Sequence, residues 1–216
     1  MPTSTAISAQ GSILQIGTST GSAKTLTAAA VGYPTIITST AHGLQNGDIV
    51  TMALWAGTGA TLLNGLSFVV QDVTANTFMV EVNTTGLTLT TGSTPTATPV
   101  AWTQINNLKT FTGLDGEASE IDVTNLSSTA KEYVLGLVDN GKFSIEVDHD
   151  STDAGQIACV AAQQAGTKKQ FKLTLPDTHT FTFYAFVKKA PLSGGVDQVV
   201  KRGTIDLRIT GAYVFV

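Results

Sequence analysis

Three histidines and one cysteine are the side chains of this sequence that could carry nucleophilic or metal chemistry; they are His42, His149, His179 and Cys159. The histidines occur in no metal-ligand spacing, and no histidine lies near Cys159 in the sequence to activate its thiol. Asp148-His149-Asp150 is the one cluster of acids and histidine, and neighbouring residues at a strand end point to opposite faces. We interpret that cluster as a surface turn and Cys159 as a small buried thiol. The sequence predicts no catalytic residue, no metal site and no cofactor.

Composition and charge limit the class of protein further. The 216 residues are 42% hydrophobic and only 13% charged, with a formal net charge of -4. A Thr-, Gly- and β-branched-rich chain of this kind favours a mainly β protein of one ordinary domain, or of one domain with a smaller insert. The net charge disfavours nucleic-acid binding, and a single cysteine excludes an intramolecular disulfide. We expect folding in a reducing cytoplasm, with no export signal and no membrane anchor.

The distribution of basic residues indicates an insert. No Lys or Arg occurs between residues 25 and 108, and Thr-, Gly-, Ala- and Pro-rich stretches bracket that region. We therefore predict an inserted domain at 28–99 and a main domain formed by 1–27 and 100–216. Within the insert, the β-prone runs YPTIITST, GDIVTMALW, LSFVVQDV and TFMVEVN are separated by turns such as Asn46-Gly47 and Asn64-Gly65. These runs predict a small β-barrel or sandwich.

The rest of the chain predicts antiparallel strands and two short helices. In KFSIEVD and KKQFKLTLPD the apolar residues alternate, which is typical of half-buried strands. The Asn125 to Ser128 cap and the stop at Asn140-Gly141 predict a helix over Thr129–Val138. A second helix is expected from the Asp153 cap to Gly166. The predicted fold class is mainly β: an antiparallel sandwich or barrel with one or two flanking helices and a small all-β insert.

Two resemblances enter here. In the insert, HGLQNGDIV followed by LNGLSFVVQDVTANTFMVEV resembles the small β-barrel of the FCCH domain of the ubiquitin-activating enzyme, which implies architecture only. In the main domain, TFTGLDGEASEIDVTNLSSTAKEYVLGLVDNGKFSIEV, then DAGQ, FKLTLPD, FTFYAFVKK and TIDLRITG, resembles the major tail tube protein of long-tailed bacteriophages. The order of these segments carries the resemblance, together with the amino-terminal strand GSILQIG.

The tail tube resemblance implies a function. Proteins of that family form hexameric rings whose sheets join as an inner β-barrel, and the stacked rings make a tube. That tube wraps the tape measure protein, contacts tail tip and tail terminator proteins, and conducts DNA into the host without binding it specifically. The chain is thus expected in the virion tail, with its neutral insert on the tube exterior.

Two charged groups are candidate assembly residues. The acidic group is expected to line the lumen or a contact between subunits, or else to be a solvated exterior; it comprises Asp115, Glu117, Glu120 and Asp122. The basic group lies at strand ends, where lysine mostly favours solubility, or else forms salt bridges between rings; it comprises Lys168, Lys169, Lys188, Lys189, Lys201 and Arg202.

Two other functions stay open at this stage. The insert could be an adhesive or glycan-binding module that the main domain displays. A β-sandwich hydrolase with a site among Asp115, Glu117, Asp148 and Asp150 is the last-ranked hypothesis.

Overall fold

The computed structural model describes residues 6–216, which are built mainly from β-strands. The first eight strands are β1 (Ile13–Thr20), β2 (Lys24–Thr25), β3 (Ala28–Ala30), β4 (Thr35–Thr38), β5 (Ile49–Ala53), β6 (Ser67–Val69), β7 (Thr77–Val80) and β8 (Thr96–Gln104). They are followed by β9 (Leu108–Gly113), β10 (Glu117–Asp122), β11 (Tyr133–Asp139), β12 (Lys142–Asp148), α1 (Ala154–Ala165), β13 (Lys168–Thr174), β14 (Thr180–Lys189), β15 (Lys201–Ile209) and β16 (Val214–Phe215). A short 3-10 helix covers Ala60–Leu62. The mainly β fold class is confirmed, with a large antiparallel sheet, smaller sheets and one short α-helix within the described residues.

The chain divides into two compact units. The first comprises residues up to Ile105, Gln170–Thr182 and Val214–Val216, and the second comprises Asn106–Lys169 and Phe183–Tyr213. Each unit is therefore built from several stretches that are separate in the sequence. An insert at 28–99 within a main domain therefore stays a proposal, which we take up below.

In the first unit, the sheet order is β6-β5-β8-β1-β13, with β2 also on β8, and β3-β4-β7 form a separate three-stranded sheet. All four strands predicted between residues 33 and 83 are present, as β4 to β7. Gly47 and Gly65 adopt positive φ in the connecting turns, as the Asn46-Gly47 and Asn64-Gly65 signals predict. The apolar sides of these strands pack into one core that includes Phe78 and Trp55.

A buried ion pair ties strands of the first unit together. Lys172 of β13 is only 4% exposed, and its Nζ donates to Asp48 Oδ1 over 2.6 Å. The same oxygen accepts Trp102 Nε1 at 3.0 Å, and Lys172 Nζ lies 5.0 Å from the centre of the Trp102 ring. Asp48 Oδ2 accepts the backbone N–H of Gln45 at 2.9 Å. We call Asp48, Trp102 and Lys172 the clasp; its charges are paired and hydrogen-bonded, as buried charges must be.

In the second unit, β12 pairs with β15 on one side and β9 on the other. The alternation of Phe143, Ile145 and Val147 predicts one buried face of β12, and all three are at most 1% exposed. The Phe143 ring lies 6.1 Å from Phe111 and 5.3 Å from Phe183, so aromatic contacts fill this core. The half-buried strand predicted here is confirmed.

Helix α1 confirms the second predicted helix, including both ends. Asp153 is the N-cap, and its Oδ1 accepts the backbone N–H of Gln156 at 2.7 Å. Gly166 ends the helix in the left-handed conformation. Cys159 lies on the buried stripe, fully shielded from solvent.

The helix predicted over Thr129–Val138 is wrong. Residues Tyr133–Asp139 form strand β11, which pairs with β10 in a separate two-stranded sheet. Tyr133, Val134 and Val138 are aromatic or β-branched residues, and Gly136 lies among them, so the intrinsic helix preference is weak. Cross-strand pairing with β10 therefore prevails over the local capping pattern.

Candidate assembly surface

The two-stranded sheet of β10 and β11, which we call the hairpin, carries the candidate assembly surface. Direct cross-strand partners are Ile121 with Val134, Glu120 with Leu135, and Asp122 with Tyr133. The register shifts between Ala118 and Glu120, so a bulge interrupts the ladder. Each direct pair places its two side chains on the same face, which puts apolar beside apolar and acid beside apolar.

Large apolar side chains of the hairpin are strongly exposed. Those at least half exposed on its two strands are Ile121, Tyr133, Val134, Leu135, Leu137 and Val138, and Leu137 reaches 91%. Leu126, in the connecting loop, is fully exposed. Exposed apolar side chains gathered on one element often mark interaction surfaces in folded proteins, and an isolated hairpin is only marginally stable in water. The hairpin is therefore a candidate surface for a covering partner.

Three of the predicted acidic residues lie on β10 of the hairpin, Asp115 lies two residues before it, and all four are exposed. Asp115, Glu117 and Glu120 line one cavity of about 600 Å³ at the base of the hairpin, together with Arg208. Asp122 lies outside that cavity and forms an ion pair of 3.7 Å with Lys131. The hydroxyl and the backbone N–H of Thr124 hold the pKa of Asp122 below its ordinary value. The hairpin is thus both acidic and apolar.

The predicted basic residues lie at the ends of three strands rather than in one cluster. Lys168 and Lys169 begin β13, Lys188 and Lys189 end β14, and Lys201 and Arg202 begin β15. Within the second unit, Lys168 Nζ lies 4.8 Å from the centre of the Tyr184 ring, and Lys201 lies 3.9 Å from a carboxylate oxygen of Glu146. Lys168, Lys188 and Lys189 are exposed, whereas Lys169, Lys201 and Arg202 are half-buried. Lys188 and Lys189 thus carry two adjacent exposed charges at the end of β14.

Sequence reasoning missed the apolar half of this surface because it assigned β11 to a helix. Two signals were present: β-branched and aromatic residues in YVLGLVD, and a second β-prone run, EIDVT, on the other side of the Asn125 to Ser128 turn. Arg208, which forms an ion pair with Asp139, was also missed. Nothing in its local sequence distinguishes it from other strand residues.

The cysteine, histidine and acidic side chains considered for chemistry take part in burial, ion pairs and turns. Burial raises the pKa of the Cys159 thiol to about 12, so it is protonated at neutral pH. Asp148 forms an ion pair of 2.9 Å with Lys109, and Asp150 accepts hydrogen bonds from Thr152. His42 Nδ1 accepts the backbone N–H of Leu44 in a turn. Between residues 6 and 216, no group of three or more His, Cys, Asp or Glu side chains has the geometry to hold a metal ion.

The described part of the chain contains no helix of sufficient length and apolarity to span a membrane.

Comparison with known proteins gives three findings. Residues 80–174, a little under half of the chain, match the family model described as "Phage tail tube, TTP, lambda-like". No curated protein matches the sequence. Among solved structures, the chain resembles a chain of the cryo-EM structure of the anti-feeding prophage (AFP) baseplate, 6-fold symmetrised, at 9% identity and a TM-score of 0.41; the match covers 81% of this chain and 95% of that one.

The family match spans β8 to β13, so it includes the whole hairpin, α1 and the strands between them. The matched family is structural and non-enzymatic. Over residues 80–174, this chain is thus similar to the lambda-like phage tail tube family.

Proposed function

We propose that this chain forms hexameric rings that stack into the tail tube of a virion, and that the tube conducts DNA into the host cell. The tail tube match over residues 80–174 supports this role. The single observation that carries it within the molecule is the exposed apolar surface of the hairpin. A ring subunit that buries this surface against a neighbouring copy would gain the burial that the isolated chain lacks.

The hairpin is proposed to contact a neighbouring subunit rather than to line the lumen. Its acidic residues alone would suit a wall that repels DNA phosphates. Leu135 and Leu137 lie on the same hairpin and are 69% and 91% exposed, however, and a water-filled lumen would leave them in solvent. A contact between subunits covers the apolar groups and pairs the acids.

The basic strand ends are the proposed partners of the acidic hairpin. Lys188 and Lys189 are exposed at the end of β14, and Glu117 and Glu120 are exposed on β10. Opposite charges on two copies would fix the register in which rings stack. The contact is heterologous, because one surface of a copy meets a different surface of the next, and such contacts propagate into tubes.

The region 28–99 is proposed as an insert on the tube exterior. It contains no Lys or Arg, so it offers no obvious partner for the acidic hairpin. The clasp supports a fixed attachment, since Asp48 of this region is buried against Trp102 and Lys172. The test is a variant that lacks residues 28–99 and carries Lys172→Met, because deletion of Asp48 would otherwise leave a buried charge unpaired. Tubes of this variant should keep the inner diameter and have a smaller outer diameter. A changed inner diameter would refute the exterior placement.

Tape measure protein inside the tube, and tail tip and terminator proteins at its two ends, are the further partners of this proposal. The net charge of -4 suits transient passage of DNA without specific binding. Assembly would follow synthesis in the host cytoplasm, and the single buried cysteine is compatible with that compartment.

Electron microscopy of the purified chain over a concentration series tests the assembly. We expect annuli with six-fold symmetry and hollow tubes of uniform diameter. Nucleation of a ring is costly, so the series is repeated with an added tail-tip initiator. Monomers that persist with the initiator present would contradict the proposed function.

Charge reversal tests the stacking contact. The variant Glu117→Lys/Glu120→Lys should not form tubes with itself, and neither should Lys188→Glu/Lys189→Glu. An equimolar mixture of the two should form tubes again, because each supplies the charge that the other requires. Lys24→Glu reverses the charge of a strand lysine of β2 outside the proposed contact, so it is the control and should assemble normally. Failure of the mixture would refute this pairing of surfaces.

A further inference from the structure

The hairpin is the outer part of a ribbon that is interrupted once. In the inner part, β9 pairs with β12 up to the partners Gly113 and Phe143. In the outer part, β10 pairs with β11 starting from Glu117 and Asp139. Residues 114–116 and 140–142 lie between the last pairs of these two ladders, and the outer part forms its own sheet. The ribbon therefore leaves the large sheet at this joint.

The backbone at the joint is tightly turned. Gly113 and Gly141 have φ of +136° and +70°. A Cβ on Gly113 would lie 2.2 Å from the carbonyl oxygen of Lys142, and one on Gly141 would lie 2.3 Å from Asp115 Oδ1. At Gly113 only glycine fits the space, because the obstructing atom is backbone, whereas at Gly141 the positive φ favours glycine and the obstructing atom is the end of a side chain. Both strands of the ribbon therefore turn at the joint, and each has a glycine there. Positions of this kind can absorb changes of φ and ψ.

Two side-chain contacts connect the joint to the strand beside it. Arg208 is in the last β12–β15 pair, opposite Lys142, and its guanidinium forms an ion pair with Asp139 at the end of β11. Asn140 Nδ2 donates to the carbonyl oxygen of Gly211 over 2.8 Å. Asp139 and Asn140 belong to the hairpin and its joint, whereas Arg208 and Gly211 belong to β15 and the turn after it. These contacts form a tether across the joint.

We propose that the joint is a hinge and that Arg208 and Asn140 hold the hairpin at the angle in which it meets a neighbouring copy. The inference rests on the proposed function for its purpose, and on the joint and the tether for its mechanics. A tethered hairpin occupies the competent orientation most of the time. A released hairpin samples many angles, and its apparent affinity falls by the fraction of time it spends in the competent one. Arg208 and Asn140 are therefore positioning residues.

Distance measurements in the monomer test the hinge directly. Nitroxide labels on Thr129→Cys at the hairpin tip and Thr204→Cys on β15 report the hairpin angle, and buried Cys159 stays unlabelled. We expect one narrow distance distribution for the otherwise unchanged chain. The variant Arg208→Met/Asn140→Ala should broaden it. An unchanged distribution would overturn the proposal.

The matched control is Lys109→Met. Its side chain is 42% exposed and forms an ion pair with Asp148, as the 46% exposed side chain of Arg208 does with Asp139, so both variants lose one positive charge and one ion pair. The control should keep the narrow distribution. Broadening in the control as well would mean that general loosening, and not the tether, causes the effect, and this too would overturn the proposal.

Assembly provides the second readout and separates the two proposals. We expect the tether variant to need an about tenfold higher protein concentration to form tubes. Broadened distances with no tubes from any variant would support the hinge and contradict the tail tube assembly. Normal tubes with unchanged distances would support the assembly and contradict the hinge.

Discussion

The clasp and the hairpin invert the usual placement of side chains in opposite ways. In the clasp, a charged pair is buried, with Lys172 only 4% exposed. In the hairpin, apolar side chains are exposed, with Leu137 at 91%. Proteins normally bury apolar groups and leave lysine in water, so each arrangement needs a compensating partner. The clasp has its partner within the chain, whereas the partner that we propose for the hairpin lies outside it.

The difference separates stability from association. A partner inside the chain contributes to the free energy of unfolding of the subunit, and its loss leaves a buried charge unpaired. A partner outside the chain contributes to binding, so its loss leaves the isolated subunit unchanged. Variants of the two regions should therefore fail in different measurements.

The largest effect is expected from Asp48→Ala, which removes one partner of the clasp. Lys172 would remain buried without a counter-ion, and the free energy of unfolding should fall by about 3–5 kcal/mol. Urea unfolding followed by tryptophan fluorescence measures this, since Trp102 is part of the clasp. The double variant Asp48→Asn/Lys172→Met removes the charges together and should lose less. If Asp48→Ala lost under about 1 kcal/mol, the clasp would not hold the unit together.

A smaller loss in the free energy of unfolding is expected from Asp153→Ala. This variant tests whether polar contacts within the second unit stabilise it, as the clasp stabilises the first. Asp153 caps α1 and also accepts Asn106 Nδ2 at 2.5 Å, so its loss should cost about 1–2 kcal/mol in the free energy of unfolding. Asp153→Asn keeps the capping oxygen and should cost less. A full loss in both variants would show that charge, and not the cap, matters. With the predicted result, the second unit would have a stabilising polar contact of its own, as the first unit has in the clasp.

Local signals in the sequence predicted much of the fold. The Asp153 cap and Gly166 stop fix α1 within the chain segment itself, and the alternation of Phe143, Ile145 and Val147 fixes the buried face of β12. Both signals depend on neighbours along the chain. The segment Tyr133–Asp139 is decided by pairing with β10, and a capping pattern nearby outweighed its β-branched residues in the prediction.

The candidate surface was predicted only in its acidic half. Glu117 and Glu120 stand out in the sequence because charged residues are few, and both lie on the exposed hairpin. The exposure of Leu135 and Leu137 could not be read from residue type, since apolar residues are expected in a core. The clasp could not be predicted from the sequence either, because Asp48 and Lys172 lie far apart in the chain and are brought together only by the order of the strands.

Leu137→Ser removes a strongly exposed apolar side chain of the hairpin. The side chain is already in solvent, so the free energy of unfolding should change by less than about 0.5 kcal/mol. The concentration needed for tube formation should rise about tenfold or more, because an apolar contact with the neighbouring copy is lost. Light scattering over a concentration series measures this. Val196→Ser is the control, since Val196 is 92% exposed outside the hairpin, and equal loss of assembly in both variants would deny the hairpin any special role.

The smallest effect concerns the charge of Asp139, where the hairpin meets its tether. The backbone N–H of Gly141 and, secondly, Arg208 hold the pKa of Asp139 below its ordinary value of 3.8. A lowered pKa means that the ionised carboxylate stabilises the folded state above the ordinary pKa, and that this contribution is lost as the pH falls further through the folded-state pKa. The contact is exposed, so salt and solvent reduce it, unlike the clasp.

Arg208→Met should therefore raise the pKa of Asp139 toward its ordinary value and leave it still lowered, because Gly141 continues to donate. Carboxyl-carbon NMR titration below pH 5 measures this, and Asp122 is the internal control, since Thr124 and not Arg208 lowers its pKa. A pKa of Asp139 that did not move would mean that Arg208 makes no ion pair in solution. The tether would then rest on Asn140 alone, and the hairpin would be held to its unit far more loosely than the clasp holds β13.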